Sequence, residues 1–348
     1  MEKLAWKREW NEMRLTDTNA DHIVCGAINW DTTIFVQKFP MEGEEVRVER
    51  VIDVPGGKGA NIAVASVRVL GKGRVALFGS LGTDHIAARQ IDILRAEGVI
   101  TRFIRRDREV QSGQAFILVD SAGRNSILTF KKANDVLAER MAASSKLTRA
   151  IRHSKLITVI DPPLEVAGRL VRTAAEHGRQ VIWSPGMLSS GGIRKRKMAD
   201  IIRQLDFLVL NEQECSSLLS MPCSSAADAV HACRLIIKVA ARKELGVIVT
   251  MGEKGCLMAK DGELVIMPRV DLGMMGLRVV NTVGAGDAFI GTFSAMKVLG
   301  RDDSDALFMA NLSGSIKTTR QETRGAPTLA ELVRIGGKVK RKYRTRKL

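Results

Sequence analysis

Residues 1–20 carry no strand pattern and read as an exposed extension, and the first strand pattern begins at His22-Ile23-Val24-Cys25-Gly26. From there apolar runs and amphipathic stretches alternate. The spacing predicts a helix over 60–70, a strand over 74–79, a helix over 84–97, and strands over 156–160, 180–184, 206–210 and 246–250 with helical segments between them. Such alternation predicts an α/β fold of three layers, a mostly parallel sheet covered by helices on both faces. Two patches break the rhythm, 34–52 and 113–130, which alternate as β without helices between. Residues 114–119 and 125–130, joined by the turn Asp120-Ser121-Ala122-Gly123, form a hairpin, so a small β-sheet lid is expected beside the main domain. Near the end, 277–280 reads as a strand and 287–299 as an apolar helix. The resulting division is an N-terminal extension over 1–21, one domain over 22–330 and a basic tail over 331–348.

Composition narrows the class. With 348 residues and 45% hydrophobic content the chain can bury a large core, and no apolar run approaches membrane-spanning length. Charges fill the first ten residues where a secretory signal needs an apolar run, so a cytoplasmic location without a membrane partner is expected. The five cysteines include no CxxC pair and are expected to be free buried thiols. The net charge of +16 raises the question of nucleic acid, but seven of the last eleven residues are basic and the rest is spread along the chain. A single Tyr leaves little aromatic interleaving for stacking bases, so no specific nucleic-acid partner is expected and the tail reads as solvated.

The chemistry concentrates in Asn281-Thr282-Val283-Gly284-Ala285-Gly286-Asp287-Ala288-Phe289. Here a loop becomes a helix, so the amides of Gly284, Ala285 and Gly286 lie at a helix N-terminus that suits phosphate. Asp287, one turn inside, would repel phosphate but can take a proton from an attacking hydroxyl. Taken alone, the segment fits better a glycine turn whose Asp merely caps a helix. A second constellation, Pro55-Gly56-Gly57-Lys58-Gly59-Ala60-Asn61, opens the helix 60–70. It lacks the Ser/Thr and spacing of a Walker A loop, and fits either a tight turn or a close approach of backbone to a ligand.

Together, these two segments resemble the N- and C-terminal signatures of the ribokinase family, the PfkB carbohydrate kinases, and the resemblance spans about residues 22–327. Weaker matches fall between them in order: Gly26-Ala27-Ile28-Asn29-Trp30-Asp31, Asn211-Glu212-Gln213-Glu214 and Thr250-Met251-Gly252-Glu253-Lys254-Gly255. The resemblance implies a ribokinase-like fold, transfer of the ATP γ-phosphate to a sugar hydroxyl, and a lid often shared across a homodimer. It implies Asp287 as general base and the Gly284, Ala285 and Gly286 amides as anion hole. Asn29, Asp31, Gly57, Lys58, Asn61 and Asp161 would bind the sugar. Asn211, Thr250, Gly252 and Gly255 would support the nucleotide. Asn211 and Glu214 would organise Mg²⁺ through water, although as residues they read equally as helix-start caps.

Three positions depart from the family pattern. Asn281 stands where relatives usually carry the Asp that helps hold an activating monovalent cation, which puts K⁺ activation in question. Asp161 replaces a sugar-contacting Glu, and Lys131-Lys132-Ala133-Asn134 replaces a Gly-Ala-Asn pattern. Ribose or a similar pentose ranks first as acceptor, a sugar phosphate second, gripped by Lys131, Lys132 or the arginines of 102–108, and a nucleoside third. A protein that senses sugar or nucleotide without turnover is the non-enzymatic alternative.

Overall fold

The computed structural model describes residues 20–339, apart from 194, 274 and 275, together with 344–347; the remainder of the expected N-terminal extension and basic tail lies outside them. Strands β1 (His22–Gly26), β2 (Asn29–Val36), β3 (Val48–Gly56), β4 (Val75–Leu81), β5 (Ile104–Arg106), β6 (Gly113–Val119) and β7 (Asn125–Phe130) come first. They are followed by β8 (Leu156–Ile160), β9 (Gln180–Ser184), β10 (Phe207–Asn211), β11 (Gly246–Thr250), β12 (Cys256–Lys260), β13 (Glu263–Met267) and β14 (Arg344–Lys347).

A ten-stranded sheet runs in the order β14-β13-β12-β11-β10-β9-β8-β1-β4-β5, parallel from β11 to β5 and antiparallel in its last three pairings. Its parallel strands are buried on both sides, which is why they read as unbroken apolar runs. One face packs on the helices Lys58–Leu70, His85–Glu97, Ala285–Val298 and Asp303–Thr318, the other on Ser145–His153, Leu164–Glu176 and Ala226–Ala240. The expected α/β/α layering is therefore present. Among the described residues no helix is long and apolar enough to cross a membrane.

Chain order reverses at β1, which has β4 on one side and β8 on the other. Open α/β sheets bind ligands at the carboxyl ends of strands at such a switch point. Asn29 follows β1 and Asp161 follows β8 at that end. A buried polar chain fixes the helices above it. His22 bridges Ser66 Oγ and Thr158 Oγ1, each at 2.8 Å, and Thr158 meets Ser294 Oγ at 2.9 Å. Burial lowers His22 to about 3, so the imidazole is neutral and ties β1 and β8 to the helices Lys58–Leu70 and Ala285–Val298.

Four elements differ from expectation. The lid is a four-stranded sheet, β3-β2-β6-β7, but it begins at Asn29 and ends at Gly56 on its first two strands, so candidate sugar residues stand on the lid itself. Residues 277–280 form no strand. Leu277, Val279 and Val280 are exposed, and the amides of Val280 and Asn281 cap the Thr318 carbonyl at 2.7 and 3.0 Å. The edge of β13 pairs with β14, which draws Arg344–Lys347 out of the expected solvated tail. The helix Leu329–Gly336, capped by Thr328 and burying Leu332 and Ile335, carries the domain past residue 330. At the other end Ala20 is already buried, and Asp21 N donates to Arg74 O at 2.9 Å.

Candidate active site

Two helix N-termini face each other over the switch point. The helix Lys58–Leu70 starts at Gly57, whose φ of 91° favours glycine and where a Cβ would sit 2.5 Å from the Asn29 amide nitrogen. The helix Ala285–Val298 starts at Gly284, φ 85°, where a Cβ would collide with the Thr323 carbonyl. Small residues at the contact, Ala65 and Ala288, let the two helices pack closely. The result joins the two sequence signatures: Asn61 Nδ2 donates to Asp287 Oδ2 at 2.8 Å.

From there a hydrogen-bonded chain crosses to the lid. Arg324 Nε donates to Asn61 Oδ1 at 3.0 Å, and its Nη2 donates to Gly56 O and Gln90 Oε1 at 3.0 and 3.1 Å. Gln90 Nε2 donates to Asn29 O. Asn134 Nδ2 donates to Asn29 Oδ1 at 2.9 Å, and its Oδ1 accepts from Ile28 N at 3.0 Å. Asn134 thus performs from the Lys131-Lys132-Ala133-Asn134 departure the holding role that a side-chain amide can play there. Lys132 itself is exposed, with Nζ 5.1 Å from the Phe130 ring centroid on the lid.

The electrostatics single out two carboxylates. Burial pushes Asp287 up; the Asn61 hydrogen bond and the Lys58 charge oppose the rise, Glu214 adds to it and Arg324 opposes it. Asp31, packed against the Gly56 backbone, is pushed by burial to about 6, with Arg324 pulling it down and Asp287 pushing it up. Both carboxylates therefore depend on the same guanidinium, which is 7% exposed and which burial brings down to about 10, still charged. Arg68 Nη1 holds the loop that carries it through Arg324 O and Ala326 O.

On the phosphate side, the Gly284 and Gly286 amides have no acceptor among the described residues. The Ala285 amide donates to Thr282 O at 3.1 Å, so the structure offers two free amides where the sequence suggested three. Lys58 Nζ lies 3.6 Å from Glu214 Oε1. Asn211 and Glu214 form a capping box on the helix Glu212–Leu219, with bonds of 2.7 and 3.1 Å, so the capping reading holds. No group of three metal-ligating side chains occurs among the described residues. Thr250 ends β11, and Gly252 and Gly255 form the tight turn after it with φ of 52° and 95°. Asp161, with φ 53°, lies at the end of β8 against Gly186 rather than on the Asp287–Asn29 chain.

Arg324 and Gln90 belong to the site and carry no motif. The signal for Arg324 is faint, a charge beside Gly325 just ahead of the helix Leu329–Gly336. Lys317 is a further surprise, a lysine on the buried face of the helix Asp303–Thr318.

A buried carboxylate, a helix N-terminus with free amides and a hydrogen-bonded chain leading towards a second carboxylate are what a phosphotransferase of the sugar-kinase type requires. The chain belongs to the pfkB family of carbohydrate kinases, whose model matches residues 19–329. It is therefore an enzyme that phosphorylates a sugar hydroxyl. It is 30% identical over 311 residues to the deoxyribokinase of Salmonella typhi, covering 88% of this chain and 95% of that one. It is 29% identical over 310 residues to the ribokinase of Bacillus subtilis, covering 89% and 97%. Its fold matches that of Arabidopsis thaliana ribokinase complexed with ribose and ATP, with a TM-score of 0.81 at 24% identity over 91% of this chain and 98% of that one. Cryptococcus neoformans ribokinase in complex with ADP matches with a TM-score of 0.77 at 26% identity over 91% and 100%.

Proposed function

We propose that the chain transfers the γ-phosphate of ATP to a hydroxyl of ribose or a similar pentose. The observation that carries the reading is the Asp287–Asn61–Arg324 chain, which links a buried base at the phosphate cradle to the Asp31 end of the groove. The names of the deoxyribokinase and ribokinase relatives, and the ribose and ATP in the Arabidopsis structure, support pentose and donor. In the reaction the sugar oxygen attacks the γ-phosphorus, the bond to the β–γ bridging oxygen breaks and ADP leaves. The hydroxyl proton passes to Asp287. The free amides of Gly284 and Gly286 stabilise charge on the transferring phosphoryl group. Asp31 in its ionised form accepts from two sugar hydroxyls, with Asn29 and Asn61 beside it. Lys58 steers phosphate from the mouth, and the turn through Thr250, Gly252 and Gly255 supports the nucleotide.

Mg²⁺ fits the donor set in one way. Glu214 and Asn211 offer hard oxygen, but both Glu214 oxygens already face Asn211 N and Lys58, which suits a hydrated ion held through water. When bound, the ion neutralises phosphate charge.

A free sugar is favoured over a sugar phosphate by the names of the deoxyribokinase and ribokinase relatives. Of the nearby cations, Lys58 faces Glu214 and Arg89 lies over the Trp30 ring at 4.4 Å, while Arg324 keeps Nη1 without a partner among the described residues. Asp161 adds a carboxylate at the same strand ends. Five buried free cysteines fit a reducing compartment such as the cytoplasm. Exposed Val48, Val51, Ile127 and Leu128 on the edge strands β3 and β7 fit a homodimer formed through the lid, and sedimentation is expected to show twice the chain mass. A coupled ADP-formation assay over pentoses, hexoses, their phosphates and nucleosides tests the acceptor. Ribose or deoxyribose is expected to give the highest kcat/KM; turnover on sugar phosphates alone would overturn the assignment.

A further inference from the structure

Lys317 has no exposed surface, yet it is not paired as a buried ammonium usually is. Its Nζ donates to two backbone carbonyls, Asn281 O at 2.8 Å and Arg320 O at 3.4 Å, and it forms no ion pair among the described residues. The charged groups that face it act through space: Glu322 in the loop after its own helix and Asp287 on the neighbouring helix. Arg320 points its guanidinium away, to Glu331 at 2.6 Å. An apolar side chain of similar length would fill the same volume without the cost of desolvating a charge. The charge therefore needs a reason, and its two partners suggest one. Asn281 begins the loop whose amides face the phosphate, and Arg320 begins the loop that delivers Arg324.

The resemblance to ribokinases implies a monovalent metal ion near Asn281, and the residues here do not fit one. The carbonyl of Asn281 is taken by Lys317, its Oδ1 accepts from Val283 N at 3.0 Å, and its Nδ2 donates to Gln321 O at 2.8 Å. The Asn281 side chain is neutral and brings no charge to an added ion, and the nearby carboxylates of Glu322 and Asp287 already act on the Lys317 ammonium.

We infer that Lys317 is a positioning residue whose ammonium serves as the built-in cation of the anion-hole loop, joining it to the Arg324 loop and making the enzyme independent of potassium. From behind the loop the charge also favours the negative charge that gathers on the transferring phosphate.

The inference rests on the phosphoryl-transfer reading, so one measurement is chosen that needs no turnover. Thermal unfolding is followed at equal ionic strength in tetramethylammonium, sodium and potassium chloride. The wild-type Tm is expected to be the same in all three, and Lys317→Ala, which empties the volume of the side chain, is expected to gain stability in potassium alone. In the second measurement, kcat on the best sugar is compared with and without potassium. Wild type is expected to change by less than about twofold, whereas Lys317→Ala loses roughly 10²-fold in kcat with little change in sugar KM. Potassium or methylammonium restores part of that loss. Potassium stimulation of wild-type turnover by roughly tenfold or more would overturn the inference, as would a potassium-specific rise in wild-type Tm or a Lys317→Ala enzyme with full kcat. If no sugar is phosphorylated, the catalytic reading fails, and the unfolding series still decides whether Lys317 fills a cation site.

Discussion

Asp287→Asn is expected to yield a folded protein whose kcat is lower by about 10³-fold, in the range that loss of a general base produces. The change removes one acid-base function and almost no volume. Asn61 Nδ2 can still donate to the amide oxygen of the new side chain, so the helix contact survives. Stability at neutral pH is expected to hold or rise slightly, because a carboxylate whose pKa burial raises is costly to keep ionised. Sugar and nucleotide KM should stay within a few fold of wild type, since Asp287 touches the proton rather than the parts that bind. Steady-state kinetics with a thermal-unfolding control reads both. Near-normal kcat in a properly folded variant would remove Asp287 from the mechanism.

Arg324→Met is expected to lower kcat/KM by about 10²- to 10³-fold, because it removes the charge-assisted bonds that hold Asn61, Gly56 and Gln90 in place, each worth roughly 1.5–3 kcal/mol, and tenfold corresponds to about 1.4 kcal/mol. The pH profile makes the effect specific. In wild type Asp31 is needed ionised and is pushed to about 6, so kcat/KM should rise with pH through that value and then level off. The Arg324 charge opposes that push. Removing it raises Asp31 further, and the acidic limb must move to higher pH, leaving more of the enzyme protonated at neutrality. Arg324→Lys keeps the charge without the fork and should return the limb toward 6 while recovering only part of the sugar KM. A profile that Arg324→Met leaves unmoved would show that Arg324 acts on the fold alone.

The parts of this protein that could be read from sequence are those whose physics is local. The strands 156–160, 180–184 and 246–250 lie where they were expected, because a strand buried on both faces needs an unbroken apolar run between turn residues. Asp287 and the two glycine helix starts were legible for the same reason: a helix N-terminus and its φ > 0 residue are written in consecutive positions. Residues 277–280 show the limit. Their apolar residues match a strand, but the amides of Val280 and Asn281 go to the Thr318 carbonyl at the end of a helix rather than to a neighbouring strand. Arg324, Gln90 and Lys317 were illegible because their partners are remote in sequence: Arg324 meets Asn61 across 263 positions and Gln90 across 234. Asn281 was visible as a departure, but the lysine that meets its carbonyl comes from the helix Asp303–Thr318, 36 positions on.

Only Ala27 and Ile28 separate β1, a strand of the rigid sheet, from β2, a strand of the lid, and Asn134 grips both the amide and the carbonyl of Ile28. The linker is thus a short stiff axle rather than a loose tether. Asp31 stands on the lid side of that axle, two residues into β2. A sugar held by Asp31, as proposed, would bear on the lid strand rather than on the main sheet, and changing the acceptor by design would then mean retuning Ile28 and Asn134 along with Asp31.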